Sequence, residues 1–134
     1  MKRNGNLHID EYFLQETSGW LRELDFFLSE LAFLKTRLAH IVDSGNDKDF
    51  VAKAEKFQND FINHDEKIKS IKAEVLSHEN RLQKILPEVK KNNKNVSSEQ
   101  QTGIRKKVAS VELEFISLKN SFNSYALNSL SGIA

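Results

Sequence analysis

His64 and His78 are the side chains in this sequence whose type and spacing come nearest to chemistry. Imidazole changes charge near neutral pH and is a common metal ligand. Both histidines sit inside one run of apolar residues spaced by three and four: Phe57, Phe61, His64, Ile68, Ile71, Val75, His78, Leu82. On a helix that spacing makes a single buried stripe, so both rings are expected inside the fold. Two heptads separate them, about 21 Å along a helix axis, so they cannot share one ion. The chain has no Glu-x-x-His, His-x-x-x-His or His-Glu-x-x-His motif, and Glu74, one turn before His78, would make only a two-ligand set. The expected role of these histidines is structural. A polar group in an apolar seam fixes register at some cost in stability, and the Tyr125 hydroxyl is the expected partner of His64. A metal- or small-ligand-binding bundle that uses His64 and His78 is the alternative.

The acids beside these rings, in His64-Asp65-Glu66 and His78-Glu79, follow seam positions and so turn toward solvent. No Gly-x-Ser-x-Gly elbow presents a nucleophile, and no glycine-rich loop cradles a phosphate. There is no cysteine, which removes disulfides, thiolate metal sites and a cysteine nucleophile. These readings predict no enzyme activity, no cofactor and no resident metal.

Three elements must position these groups. The first helix is predicted from about 8 to 43, with the seam Trp20, Leu24, Phe27, Leu31, Leu34, Leu38, Ile41 and Gly45 just past its end. The second is predicted from about 47 to 91, opened by Asn46 or Asp47 as N-cap and kinked or ended near Pro87. The third is predicted from about 98 to 130, with Ser98 and Gln101 as a capping box and the seam Ile104, Val108, Val111, Phe115, Leu118, Phe122, Tyr125, Ser129. Short connections imply antiparallel neighbours, so the expectation is an all-α, coiled-coil-like up-down-up bundle forming a single domain over 1–134. If the helices meet flush at their connections, Phe27 lies near His64 and Phe13 near His78. On the other side His78 lies near Val111 and His64 near Tyr125. Such packing resembles that of many unrelated families, spectrin-like repeats among them, and no motif singles one out.

Helices 1 and 3 carry apolar residues beyond their seams. Tyr12, Gly19, Phe26 and Phe33 recur every seven residues in helix 1, roughly opposite the seam, and helix 3 adds Leu113, Ile116, Leu127 and Leu130. An aligned exposed stripe marks an interaction site where scattered apolar residues do not. The expected use is a homodimer interface joining helices 1 and 3 of each copy. Lys84, Lys90, Lys91, Lys94, Arg105, Lys106 and Lys107 are expected around the second connection, a weak candidate for anions or nucleic acid. No aromatic residue is interleaved for base stacking, and the net charge is only +1, so nucleic acid is not the expected partner.

Hydrophobic residues at 39% and charged residues at 29% suit long helices with one narrow buried stripe, and no run approaches the roughly 20 apolar residues of a membrane span. The basic N-terminus is not followed by the apolar segment of a secretory signal, and the expected location is cytoplasmic. The sequence thus predicts a non-enzymatic scaffold or interaction protein that pairs with itself and presents a helical surface to another protein.

Overall fold

The computed structural model describes three helices: α1 (Lys2–Ser44), α2 (Lys48–Asn92) and α3 (Ser98–Ile133). All described residues are helical, and the helices pack against one another as an all-α bundle. One end differs from the sequence expectation. Helix α1 begins at Lys2 instead of near His8, because nothing in that stretch forbids a helix and adding residues to a formed one costs little. Helix α2 runs through Pro87 to Asn92. Proline removes one backbone bond and crowds one carbonyl, a penalty that a helix anchored over many earlier turns absorbs this near its end.

The chain divides into two compact units. The first comprises Met1–Asp25 and Lys69–Ala109, the second Phe26–Ile68 and Ser110–Ala134.

In the first unit α1 and α2 run antiparallel, as Ser18 donating to Glu79 (3.0 Å) and Lys72 pairing with Asp25 show. Helix α3 is antiparallel to α2, with Lys107 on Glu74, and parallel to α1, with Arg105 on Glu16. The core holds Phe13, Trp20 and Leu24 from α1, Ile71, Val75 and Leu82 from α2, and Ile104 and Val108 from α3. Each such side chain, fully buried, contributes roughly 1.5–3 kcal/mol.

The second unit is aromatic. Phe61 and Phe122 are wholly buried and meet edge to face at 5.3 Å. Phe57 contacts both, Tyr125 packs on Phe57 and Phe50 at 5.1 Å each, and Phe27 stacks on Phe115 at 5.2 Å. Arg37 lies over the Phe122 ring at 5.5 Å and donates to Asn123, tying α1 to α3. Such aromatic pairs add about 0.5–1.5 kcal/mol each beyond the area they bury.

Neither flush register is adopted. Between α1 and α2, Glu79 meets Ser18 and Lys72 meets Asp25, so α1 is displaced from the expected pairing of Phe13 with His78. Helices α2 and α3 are displaced further. His64 stacks on Phe115, ten positions before Tyr125, and His78 bonds Gln101, ten positions before Val111. The Tyr125 hydroxyl instead donates to the Phe50 carbonyl at 3.1 Å. The helices slide until like meets like: polar His78 finds polar Gln101, and the rings of Phe57 and Phe61 find Phe122. Flush pairing would set His78 opposite apolar Val111 and forfeit its hydrogen bond to Gln101, whereas the adopted register keeps that bond while His64 packs on Phe115.

Candidate functional site

In the first unit the heptad places Thr17, His78 and Gln101 at inward positions, where apolar residues would be usual. All three are buried. Thr17 donates to the Phe13 carbonyl at 2.7 Å. The Gln101 amide nitrogen reaches the same carbonyl (3.1 Å), Thr17 Oγ1 (3.2 Å) and Glu16 Oε1 (2.9 Å). Its amide oxygen is then the group left for His78 Nε2, 2.6 Å away, so Nε2 carries the proton. His78 Nδ1 accepts from Arg81 Nη2 at 3.0 Å. Arg105 closes the layer with two bonds of 2.7 Å to Glu16. Those bonds hold the Glu16 carboxyl below its ordinary value, against the opposing pull of burial, and raise the Arg105 guanidinium.

This layer was only partly visible beforehand. The spacing marks His78 as a seam residue, but it reads Gln101 as a cap of its own helix with Ser98. Its side chain turns inward instead, because an inward position three residues before Ile104 leaves it unable to reach back. Thr17 continues the seam of α1 by steps of four and three between Phe13 and Trp20, the signal that would have exposed it.

His64, in the second unit, is the contrasting case. It is buried against Phe115, and its Nε2 has no hydrogen-bond partner. Burial pushes this imidazole below its ordinary value. Nearby Glu114 and the Val111 carbonyl pull the other way, and Lys67 adds to the fall. Lys67 grips both oxygens of Glu114 at 2.7 and 2.8 Å and, with Ser110 and His64, holds that carboxyl below its usual range. A shallow open groove beside His64 is lined by Asp60, Asn63, Lys67, Glu114 and Leu118, whereas small-ligand pockets are mostly apolar and enclosed. Among the described residues no group of three or more His, Asp or Glu is arranged to hold a metal ion.

The basic residues expected at one end are placed individually. Arg105 is bound to Glu16 and Lys107 to Glu74, while Lys84 and Lys106 are exposed. Lys94 and the side chains of Lys90 and Lys91 lie outside the described residues.

The apolar residues outside the seams are at the surface. Phe26 (57% exposed), Phe33 (59%), Leu113 (69%), Ile116 (44%) and Leu127 (64%) belong to the second unit, and Tyr12 (57%) to the first. The side chain of Leu130 is outside the described residues. In the second unit Glu30–Lys119 and Arg37–Asn123 zip α1 to α3, and Phe26 and Phe33 on α1 and Ile116 on α3 flank that zipper. Among the described residues no helix is long and apolar enough to cross a membrane. Compared with family models, curated proteins and solved structures, the chain matches none.

Proposed function

We propose that this protein is a non-enzymatic, cytoplasmic interaction module that forms a homodimer and presents a helical surface to a protein partner. The observation that carries this reading is the set of large apolar side chains left in water on α1 and α3: Phe26, Phe33, Leu113, Ile116 and Leu127, with Tyr12 further along α1. Ordinary exposed leucines scatter, whereas these recur at heptad spacing along α1 and line up on two adjacent helices. That spacing suits pairing with further helices. The polar layer around Gln101 supports the reading from the other side, because its hydrogen bonds join α1, α2 and α3 and engage its groups within the fold.

Binding that favours the folded state makes the unfolding midpoint depend on protein concentration. The test is thermal unfolding over a hundredfold concentration range. The wild-type midpoint should rise with concentration, and that of Phe33→Glu should not. A wild-type midpoint indifferent to concentration would overturn the dimer.

A further inference from the structure

We propose that His64 drives an acid-sensitive exchange between α2 and α3: when its Nε2 takes up a proton, the Glu114 carboxylate leaves Lys67 and accepts from the ring, and Lys67 swings into solvent. All of these groups belong to the second unit. The basis is a buried nitrogen with nothing to bond. His64 is 7% exposed, and its Nε2 is sealed from water without a partner. The ring's hydrogen-bonding contact on α3 is the Val111 carbonyl, which can only accept. With Nε2 unbonded, that contact falls to Nδ1, which therefore holds the proton of the neutral ring. Nε2 is then a bare lone pair, and the species that fits a site closed to water is a proton.

An imidazolium buried without an acceptor is strongly unfavourable, so protonation demands a partner. The groove beside the ring holds two carboxylates, Asp60 on α2 and Glu114 on α3. Glu114 is the one whose charge acts on His64, and His64 acts on it in return. On the α1 side Glu30 and Lys35 are engaged by Lys119 and Asp65. While the ring is neutral, Glu114 is held by Lys67 at 2.7 and 2.8 Å and by Ser110 at 3.3 Å. That pair is weak, because the Lys67 and Glu114 side chains are 49% and 41% exposed and ion pairs so placed contribute little. A buried charged N–H gains more from the same carboxylate than an exposed ammonium does, so Glu114 changes hands. Lys67 repels the charged ring and departs. Phe115, stacked on the ring at 5.9 Å, presents its face to the new cation. Lys67 and Ser110 keep Glu114 ionised into more acid than an ordinary carboxyl, which widens the range in which His64 is charged and Glu114 still accepts.

The test is nuclear magnetic resonance of the uniformly labelled full chain, titrated from about pH 8 to about pH 5, with His64→Phe assigning the ring. The neutral ring should carry its proton on Nδ1. Below the ring's midpoint the Overhauser contact between Lys67 and Glu114 should vanish and one between His64 and Glu114 should appear, with helix content unchanged. Glu114→Gln should weaken proton binding at His64 about tenfold, and Asp60→Asn by less than about twofold. Lys67→Met should strengthen it. A neutral ring protonated on Nε2, a Lys67–Glu114 contact that survives the ring's titration, or a midpoint unmoved by Glu114→Gln overturns the exchange. So does a ring that titrates only as the helices unfold.

Discussion

Replacing Gln101 by Leu should cost about 2 kcal/mol, and replacing His78 as well should restore most of it. Gln101 is wholly buried and supplies the only acceptor recorded for His78 Nε2 among the described residues, at 2.6 Å. Leucine fills a similar volume but orphans that N–H inside a residue 2% exposed. An unsatisfied buried donor costs about 1–3 kcal/mol. The other bonds of Gln101 matter less, because the Phe13 carbonyl keeps the Thr17 hydroxyl and Glu16 keeps Arg105. For a chain of this length about 2 kcal/mol lowers the midpoint by roughly 5–10 °C. In Gln101→Leu/His78→Leu both partners are apolar and no donor is stranded, so stability should return to within about 1 kcal/mol of wild type. The assay is urea unfolding of wild type, both single variants and the double variant, analysed as a cycle. A coupling of about 2 kcal/mol is expected. Strictly additive losses would show that the two side chains do not act as one layer, and the argument for register would fail with it.

Four further outcomes follow. His64 has its pKa depressed by burial, so the unfolded chain binds a proton that the folded one refuses. Stability should be full above about pH 7.5 and fall as pH drops through 6.5 toward the lower folded value, by about 1.4 kcal/mol per unit of depression. Unfolding measured from pH 8 to 5.5 should show this slope, and His64→Phe should flatten it; an equal slope in both would assign the effect elsewhere. Glu16 is depressed by its bonds to Arg105, so its contribution is present above about pH 4.5 and lost as pH falls through the folded value. Glu16→Gln should cost roughly 1 kcal/mol at pH 7 and shrink the acid-induced loss, and an unchanged acid limb would contradict this. Tyr125→Phe keeps the stacking on Phe50 and Phe57 but removes the bond to the Phe50 carbonyl, for a loss of about 1 kcal/mol, whereas Phe122→Ala should cost about 3–5 kcal/mol; similar losses would mean the cluster is not the core of its unit. Gly103 is helical, and a Cβ there would meet nothing within 4 Å. Gly103→Ala should therefore raise stability by roughly 0.5–1 kcal/mol, and a loss would reveal a close neighbour.

The three-four spacing was sufficient to assign three helices and most of the core, because burial of a single stripe leaves few other ways to arrange Trp20, Leu24, Phe27 and Leu31. Register between neighbouring helices was not legible, since a heptad seam accepts any shift of whole turns. What chose among shifts was the pairing of particular polar groups across helices. Gln101 illustrates the difficulty: three residues after Ser98 it reads as a cap, and only the positions of Thr17 and His78 reveal it as a core residue. The exposed faces of Phe26, Phe33, Leu113 and Leu127 were visible from spacing alone. That they make one face became visible only once α1 and α3 lay side by side.

The central claim is that this chain pairs with itself through the apolar side chains exposed on α1 and α3, and mass in solution tests it most directly. Light scattering on the purified chain at tens of micromolar should give twice the 15.4 kDa of one chain, and a Phe26→Glu/Phe33→Glu variant of unchanged helical content should give 15.4 kDa. A wild-type mass of 15.4 kDa at that concentration, or a dimer indifferent to both glutamates, would contradict the account.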